Sequence, residues 1–153
     1  MKCLFALLQL FLIFQIALNA NIQSDQPTYS YNVYNALTSP NYLESTRGAV
    51  ILKMQDDGNV VLGQQLTPQF KRIPGGRALW SSETYGKGVG PYTNTLTNDG
   101  YLVLTDSTQK ELWRSTKNFY GVAPFTLSVL DAGNMQIQDA NGNVVWDTNT
   151  RLS

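Results

Sequence analysis

Polar side chains recur at every second position around Gly58, where Gln55, Asp57 and Asn59 are followed by the apolar Val61. An ionised carboxylate only accepts hydrogen bonds, whereas the two amides both donate and accept them. This mixture suits a ligand with adjacent hydroxyl groups, such as a sugar, because each hydroxyl also donates and accepts. The residues lie on or beside one predicted hairpin, so their side chains can converge on a single exposed patch.

The same turn has two other interpretations. Asp-Asp-Gly-Asn is typical of any tight hairpin, because Asp and Asn bond their own backbone and Gly tolerates positive φ. Asp56 and Asp57 could also form a glycosidase pair of carboxylates. Neighbouring acids on a turn are usually solvated, however, and nothing else in the sequence indicates a cleft with a raised carboxyl pKa. We therefore predict that the protein is not an enzyme.

Composition removes several further chemistries. Histidine is absent and Cys3 is the only cysteine, so the commonest zinc and copper ligands are missing, as are Ser-His and Cys-His nucleophilic systems. The chain carries 11 basic and 11 acidic side chains, a balance that offers no electrostatic footprint for nucleic acid. We predict no metal site, no cofactor and no nucleic-acid partner.

A threefold repeat organises the elements that must position the polar patch. Three segments share a glycine step followed by alternating side chains, and each precedes a tryptophan with a short polar tail; they are residues 55–62, 97–104 and 130–137. Trp80, Trp113 and Trp146 are each separated by 33 residues. Asp57 and Asp99 are 42 residues apart, so the first repeat holds an insertion, residues 64–75 with Lys71 and Arg72, which we predict to be an enlarged exposed loop.

Each repeat predicts a small antiparallel sheet. Residues 51–55 pair back onto 59–62 across the Asp-Gly step, and no part of the chain after the leader shows a sustained helical period. One such sheet cannot bury its apolar face alone, whereas three can close around a common axis. We expect six side chains to point inward together: Val60, Leu62, Leu102, Leu104, Met135 and Ile137. The three tryptophans favour the same core over a sugar-stacking role, because their placement is identical in every repeat.

The first repeat resembles the bulb-type (monocot-type) mannose-binding lectins. Gln55, Asp57, Asn59 and Val61 match four of the five specified positions of the family motif Gln-x-Asp-x-Asn-x-Val-x-Tyr. Residues 35–37, 42–43 and 48–55 also look like the opening strands of the family, and the likeness extends over about residues 34–150. The resemblance implies an all-β fold, the β-prism II, with three antiparallel four-stranded sheets in pseudo-threefold symmetry.

The resemblance also implies a site and a ligand. Gln55, Asp57 and Asn59 would hydrogen-bond the hydroxyls of mannose, including the axial one, and Val61 would contact the ring carbons. Gly63 stands where the family has its tyrosine, a loss that we expect to weaken binding by ~0.5–1.5 kcal/mol. The corresponding positions of the second and third repeats retain too little of the motif and are interpreted as structural relics. The family's usual intradomain disulfide is also absent.

The start of the chain is typical of a signal peptide, with Lys2, a mostly apolar stretch over residues 4–18, and Ala20 at the predicted cleavage position. The stretch is shorter than the ~20 apolar residues that span a bilayer. We therefore predict residues 1–20 as signal peptide, 21–33 as an N-terminal arm, either flexible or an added strand, and 34–153 as the lectin domain. The predicted location is extracellular, without a membrane span.

Two functions remain in competition at this point. One is a secreted carbohydrate-binding lectin, mannose-specific, with one altered site per chain that would need a homo-oligomer for useful avidity. The other is a lectin-like extracellular scaffold or protein-binding module whose sugar site has decayed. Gly63 and the enlarged loop favour the scaffold, whereas Gln55, Asp57 and Asn59 favour the lectin.

Overall fold

The computed structural model describes residues 35–65 and 76–153, together with the backbone of residues 20–23. The described residues form twelve strands and no helix. The strands are β1 (Ala20–Gln23), β2 (Ala36–Thr38), β3 (Tyr42–Glu44), β4 (Val50–Met54), β5 (Val60–Gln64), β6 (Ala78–Ser81), β7 (Thr93–Leu96), β8 (Leu102–Thr105), β9 (Glu111–Arg114), β10 (Phe125–Val129), β11 (Met135–Gln138) and β12 (Val144–Asp147). Within the described ranges, no helix is long and apolar enough to cross a bilayer.

The strands form three four-stranded sheets, which confirms the predicted β-prism II. The first-repeat sheet has the order β3-β4-β5-β6, the second-repeat sheet β2-β7-β8-β9, and the third-repeat sheet β1-β10-β11-β12. All neighbouring strands are antiparallel except β1, which pairs with β10 in parallel. Residues 21–23 of the predicted arm therefore lie in a strand. The predicted leader up to residue 19, residues 24–34 and most of the enlarged loop, with Lys71 and Arg72, lie outside the described residues.

The core is built from layers that the strand registers align across each sheet. In the first-repeat sheet, Leu43 pairs with Leu52, Leu52 with Leu62, and Leu62 with Trp80. The equivalent rows are Leu37, Asn94, Leu104 and Trp113 in the second-repeat sheet, and Leu127, Ile137 and Trp146 in the third. All six side chains predicted to point inward are fully buried. Sheets with one apolar face thus share one core, as the repeat predicts.

The three tryptophans form the last layer of this core. Their ring centroids are 5.3, 6.0 and 5.9 Å apart, and every pair is edge-to-face, the arrangement that the aromatic quadrupole favours. Trp146 is buried, whereas Trp80 and Trp113 are partly exposed at an open cavity of about 690 Å³. Trp146 belongs to the buried core, and Trp80 and Trp113 pack against it, as the packing interpretation predicts.

The hairpin glycines allow the repeats to approach each other closely. Gly58, Gly100 and Gly133 all have positive φ, between 81° and 94°. A Cβ on Gly58 would lie 2.9 Å from the Tyr92 ring, and one on Gly133 would lie 2.5 Å from the backbone nitrogen of Leu152. Each turn therefore packs closely against the segment that follows its repeat.

Candidate functional site

The structure brings the predicted site residues together on one hairpin. β4 ends at Met54 and β5 begins at Val60, so the intervening residues form the turn. The Gln55 N–H donates to the Asn59 carbonyl at 2.9 Å, and the Gly58 N–H donates to the Gln55 carbonyl at 3.3 Å. Gln55 and Asn59 thus face each other across the turn, which places their side chains on the same outer face of the sheet.

Asp57 both shapes the turn and keeps one carboxylate oxygen available. Its Oδ1 accepts the Asn59 N–H at 2.9 Å, and its backbone carbonyl accepts the Gly86 N–H at 2.8 Å. Such an Asx turn is the structural role that the turn sequence favours. The Oδ2 atom has no hydrogen-bond partner among the described residues, so it can still accept from a ligand.

The amide oxygen of Asn59 is already hydrogen-bonded within the protein. Its Oδ1 lies 3.0 Å from the Ser82 hydroxyl and accepts the Thr84 N–H at 3.3 Å, while the Thr84 hydroxyl donates to the Gly58 carbonyl at 2.7 Å. The Nδ2 group donates to no other described residue. Asn59 can therefore offer a ligand two N–H donors but no unoccupied oxygen.

The third repeat contains the same hydrogen bonds to the asparagine oxygen, but here the amide nitrogen also has a partner. Asn134 Oδ1 accepts from the Thr148 hydroxyl at 2.7 Å and from the Thr150 N–H at 3.4 Å, and the Thr150 hydroxyl donates to the Gly133 carbonyl at 2.6 Å. Here the amide nitrogen donates to Asp147 Oδ2 at 2.9 Å. The asparagine at this position thus has a structural role in both repeats, and only in the first repeat is its amide nitrogen without any partner among the described residues.

Val61 lies in a row of residues that crosses the outer face of the first-repeat sheet. Tyr42 pairs with Lys53, Lys53 with Val61, and Val61 with Ser81. Val61 is only 7% exposed, so a ligand resting on it also touches its neighbours in the row. The Gln55 side chain is partly exposed and makes no hydrogen bond to the described residues, so its amide is available.

Gly63 lies in the next row of the outer face, and there the site differs from the family motif by more than the loss of the tyrosine hydroxyl. Gly63 pairs with Ile51 on the outer face, and both residues are buried although neither belongs to the central core. Ile51 is 1% exposed. The surface is therefore closed at the position where the family motif has its tyrosine, and the open part of the site extends from the turn to the row that contains Val61.

In the second repeat, charged and aromatic side chains cover the equivalent surface. Tyr101 replaces the motif asparagine, and its ring lies 4.1 Å from the Lys117 ammonium and 4.9 Å from the Arg114 guanidinium. Lys117 also donates to the Asp99 carbonyl, and the Thr97 hydroxyl donates to the Asp99 carboxylate at 2.5 Å. These internal contacts occupy the groups that a sugar would need, which supports the interpretation of this repeat as a relic.

Sequence reasoning missed the hydroxyl groups that hold each turn in place. Ser82, Ser115 and Thr148 each stand two residues after a tryptophan and accept the N–H of the residue that begins the hairpin's second strand, at 3.0, 3.0 and 3.1 Å. The repeated polar tail after each tryptophan is the signal that could have identified them. Within the described ranges, no group of three His, Cys, Asp or Glu residues could hold a metal ion.

Solved structures with this fold are known, although no protein-family model and no curated protein matches the chain. A monomeric monocot mannose-binding lectin from Gastrodia elata is 26% identical, with a TM-score of 0.60, and the match covers 76% of this chain and 93% of that one. A lectin from Marasmius oreades is 25% identical, with a TM-score of 0.62 and coverages of 84% and 97%. The Polygonatum cyrtonema lectin, solved in complex with a monomannoside, is 30% identical, with a TM-score of 0.51 and coverages of 75% and 96%.

Three sheets around a tryptophan-capped core, with a polar turn open on one outer face, define a carbohydrate-binding lectin of the β-prism II fold. The chain belongs to the bulb-type mannose-binding lectin family. Because lectins bind carbohydrates without converting them, this membership confirms the prediction that the protein is not an enzyme.

Proposed function

We propose that this protein is a secreted lectin that binds mannose or mannose-containing glycans through one altered site per chain. The site consists of Gln55, Asp57 and Asn59 as hydrogen-bonding groups and Val61 as an apolar contact. The observation that carries the proposal is that three polar groups of one hairpin have no partner among the described residues: the Gln55 amide, Asp57 Oδ2 and Asn59 Nδ2. Two donor groups and a carboxylate acceptor match the alternating character of sugar hydroxyls.

The ligand class is supported by the family and by the free groups together. The Polygonatum cyrtonema lectin was solved with a monomannoside bound. This chain has four of the five motif residues, and Gly63 replaces the fifth. A site with few polar contacts and little apolar area should bind weakly, toward the millimolar end that corresponds to ~4 kcal/mol. Assembly into a homo-oligomer would raise the avidity for a multivalent glycan. Secretion is proposed from the leader-like residues 1–20.

A second candidate is an extracellular scaffold or protein-binding module. It is favoured by the closed surface at Gly63 and Ile51, which shortens the site, and by the structural role of the Asn59 oxygen. The two candidates differ in whether the free groups at the turn contact a sugar.

Retention on mannose-agarose, with elution by free methyl α-mannoside, tests the proposal directly. Gln55→Ala is the diagnostic variant, because its side chain makes no hydrogen bond to the described part of the protein and its loss should leave the fold intact. Gln136→Ala, which alters the outer face of the third-repeat sheet, is the matched control. We expect the wild type and the control to be retained and Gln55→Ala to elute early. If the folded wild type flows through even when coupled to a multivalent carrier, the scaffold is the better description.

A further inference from the structure

Lys53 lies inside the proposed sugar site, although it is not part of the family motif. It is on β4, directly paired with Val61 on one side and with Tyr42 on the other. Its neighbours along the strand, Leu52 and Met54, are fully buried in the core, so the Lys53 side chain projects from the outer face. The residue is half-buried, the exposure typical of a lysine whose apolar stem packs on a surface and whose charged end reaches solvent.

The Lys53 charge is not neutralised by the described part of the protein. The ion pairs there are Arg47 with Asp131 and Arg114 with Glu111, and neither involves the first-repeat site. The other residues of the Lys53 row, Tyr42, Val61 and Ser81, carry no carboxylate. The site thus has a carboxylate at its turn end, Asp57, and, in the row farther from the turn, a lysine that forms no ion pair with any described residue.

The ammonium is within reach of any sugar that uses the site. Residues directly opposite each other on one face of a sheet have Cβ atoms about 4.5–5.5 Å apart, and the flexible four-carbon lysine stem is of comparable length. A sugar whose hydroxyls are held by Gln55 and Asn59 lies over Val61. The substituents on its far side then lie beside Lys53, where an anionic group gains a charge-assisted hydrogen bond.

We propose that this site selects a saccharide with an anionic substituent (a phosphate, a sulfate or a carboxylate) over neutral mannose, an inference that rests on the proposed sugar site. Lys53 is the residue that determines this preference. The lysine ammonium is a compact point charge with three donors, so it accepts any of the three anions without demanding the planar geometry that an arginine fork favours.

Titration calorimetry or glycan-array binding at low ionic strength tests the inference. The probes are methyl α-mannoside, mannose 6-phosphate, mannose 6-sulfate and a mannuronate glycoside, with glucose 6-phosphate and inorganic phosphate as controls for the sugar and for the anion alone. We expect at least one anionic mannose derivative to bind about five-fold more tightly than methyl α-mannoside, since exposed charge pairs give factors of this size. The preference should diminish at high salt, because the anion and Lys53 are both accessible to screening ions.

Variants separate this inference from the proposed function. Lys53→Gln should reduce the ratio of the anionic to the neutral affinity to about one, and Lys53→Arg should keep the preference. Lys110→Gln, at an exposed lysine on the second repeat, is the charge-matched control. Equal affinity for neutral and anionic mannose, or a preference that survives in Lys53→Gln, overturns the inference alone. If no mannose derivative binds to the folded wild type, the proposed function fails. Equal binding of glucose 6-phosphate or inorganic phosphate also overturns the inference, because the site would then recognise only the anion.

Discussion

Asn59 and Asn134 occupy the same position in the first and third repeats, and each amide oxygen accepts hydrogen bonds from the chain segment that follows the repeat's tryptophan. The two residues differ in the other half of the amide. Asn134 Nδ2 is bonded to Asp147, whereas Asn59 Nδ2 has no partner among the described residues. The same structural device therefore leaves its amide nitrogen without a described partner only in the first repeat, where the proposed sugar site lies.

Substitutions at these two asparagines distinguish a loss of sugar binding from a general loss of stability. Asn59→Ala and Asn134→Ala should each lower the free energy of unfolding by about 1–3 kcal/mol, because each leaves buried or partly buried hydrogen-bond partners unsatisfied. Only Asn59→Ala should lose retention on mannose-agarose. Urea denaturation gives the stabilities and affinity chromatography gives the binding. Equal loss of binding in both variants would mean that Asn59 acts on the sugar only through the fold.

Asn94 is expected to destabilise the core in which it lies. Its side chain is fully buried, and neither amide atom has a hydrogen-bond partner in the described structure. The equivalent layer positions in the other repeats are Leu52 and Leu127. Asn94→Leu should therefore raise the free energy of unfolding by about 1–3 kcal/mol, measured as a higher urea midpoint. Thr95→Val, at the adjacent outer-face position, is the control; an unchanged or lower midpoint for Asn94→Leu would show that the amide is satisfied in solution.

Two buried carboxylates should make stability depend on pH. Asp106 has a lowered pKa, chiefly because the Thr108 hydroxyl donates to it at 2.6 Å, and burial opposes this effect only in part. Burial raises the pKa of Asp139, but hydrogen bonds from Asn143, Val122 and Asn141 outweigh it, and the net pKa is lowered. Each carboxylate also accepts the N–H of an exposed loop residue, Val89 or Val122.

The sign of the pH effect follows from the direction of both shifts. A carboxyl whose folded pKa is depressed stabilises the protein fully above its unfolded pKa, about 3.9, and progressively less as the pH falls through the folded value. We expect the thermal midpoint to fall below about pH 4. Asp106→Asn and Asp139→Asn should each flatten this part of the profile, whereas Asp56→Asn, at an exposed turn position, should not. A profile that is the same in all variants would assign acid sensitivity to other groups.

Two glycines allow the cost of a steric clash at a hairpin turn to be measured separately from the cost of a left-handed backbone conformation. Gly133 and Gly142 both have positive φ, 94° and 81°, but a Cβ on Gly133 would meet the backbone at Arg151 and Leu152, whereas one on Gly142 meets nothing within 4 Å. Gly142→Ala should cost about 1–2 kcal/mol of unfolding free energy, from the left-handed conformation alone. Gly133→Ala should cost about 1–3 kcal/mol more, because the backbone must shift. Equal midpoints in chemical denaturation would contradict the close contact.

The repeat period predicted most of the architecture because equivalent residues in each repeat occupy equivalent positions in the packed core. Residues that alternate around three equivalent glycines can bury their apolar faces only against each other, so the sheets, the inward side chains and the tryptophan core followed from spacing. The parallel pairing of β1 could not be predicted, since residues 20–23 lie outside the repeat and carry no turn signal that links them to β10.

For the site, the sequence determined which residues cluster at the first turn and what they can offer a ligand, because Gln55, Asp57 and Asn59 are neighbours along one hairpin. The tertiary structure alone decided which atoms remain available. Asn59 Oδ1 accepts from Ser82 and Thr84, the surface at Gly63 is closed, and Lys53, which forms no ion pair with any described residue, lies beside Val61. These contacts join separate strands and segments, and hydrogen bonding and burial between them depend on distances that a linear pattern does not encode.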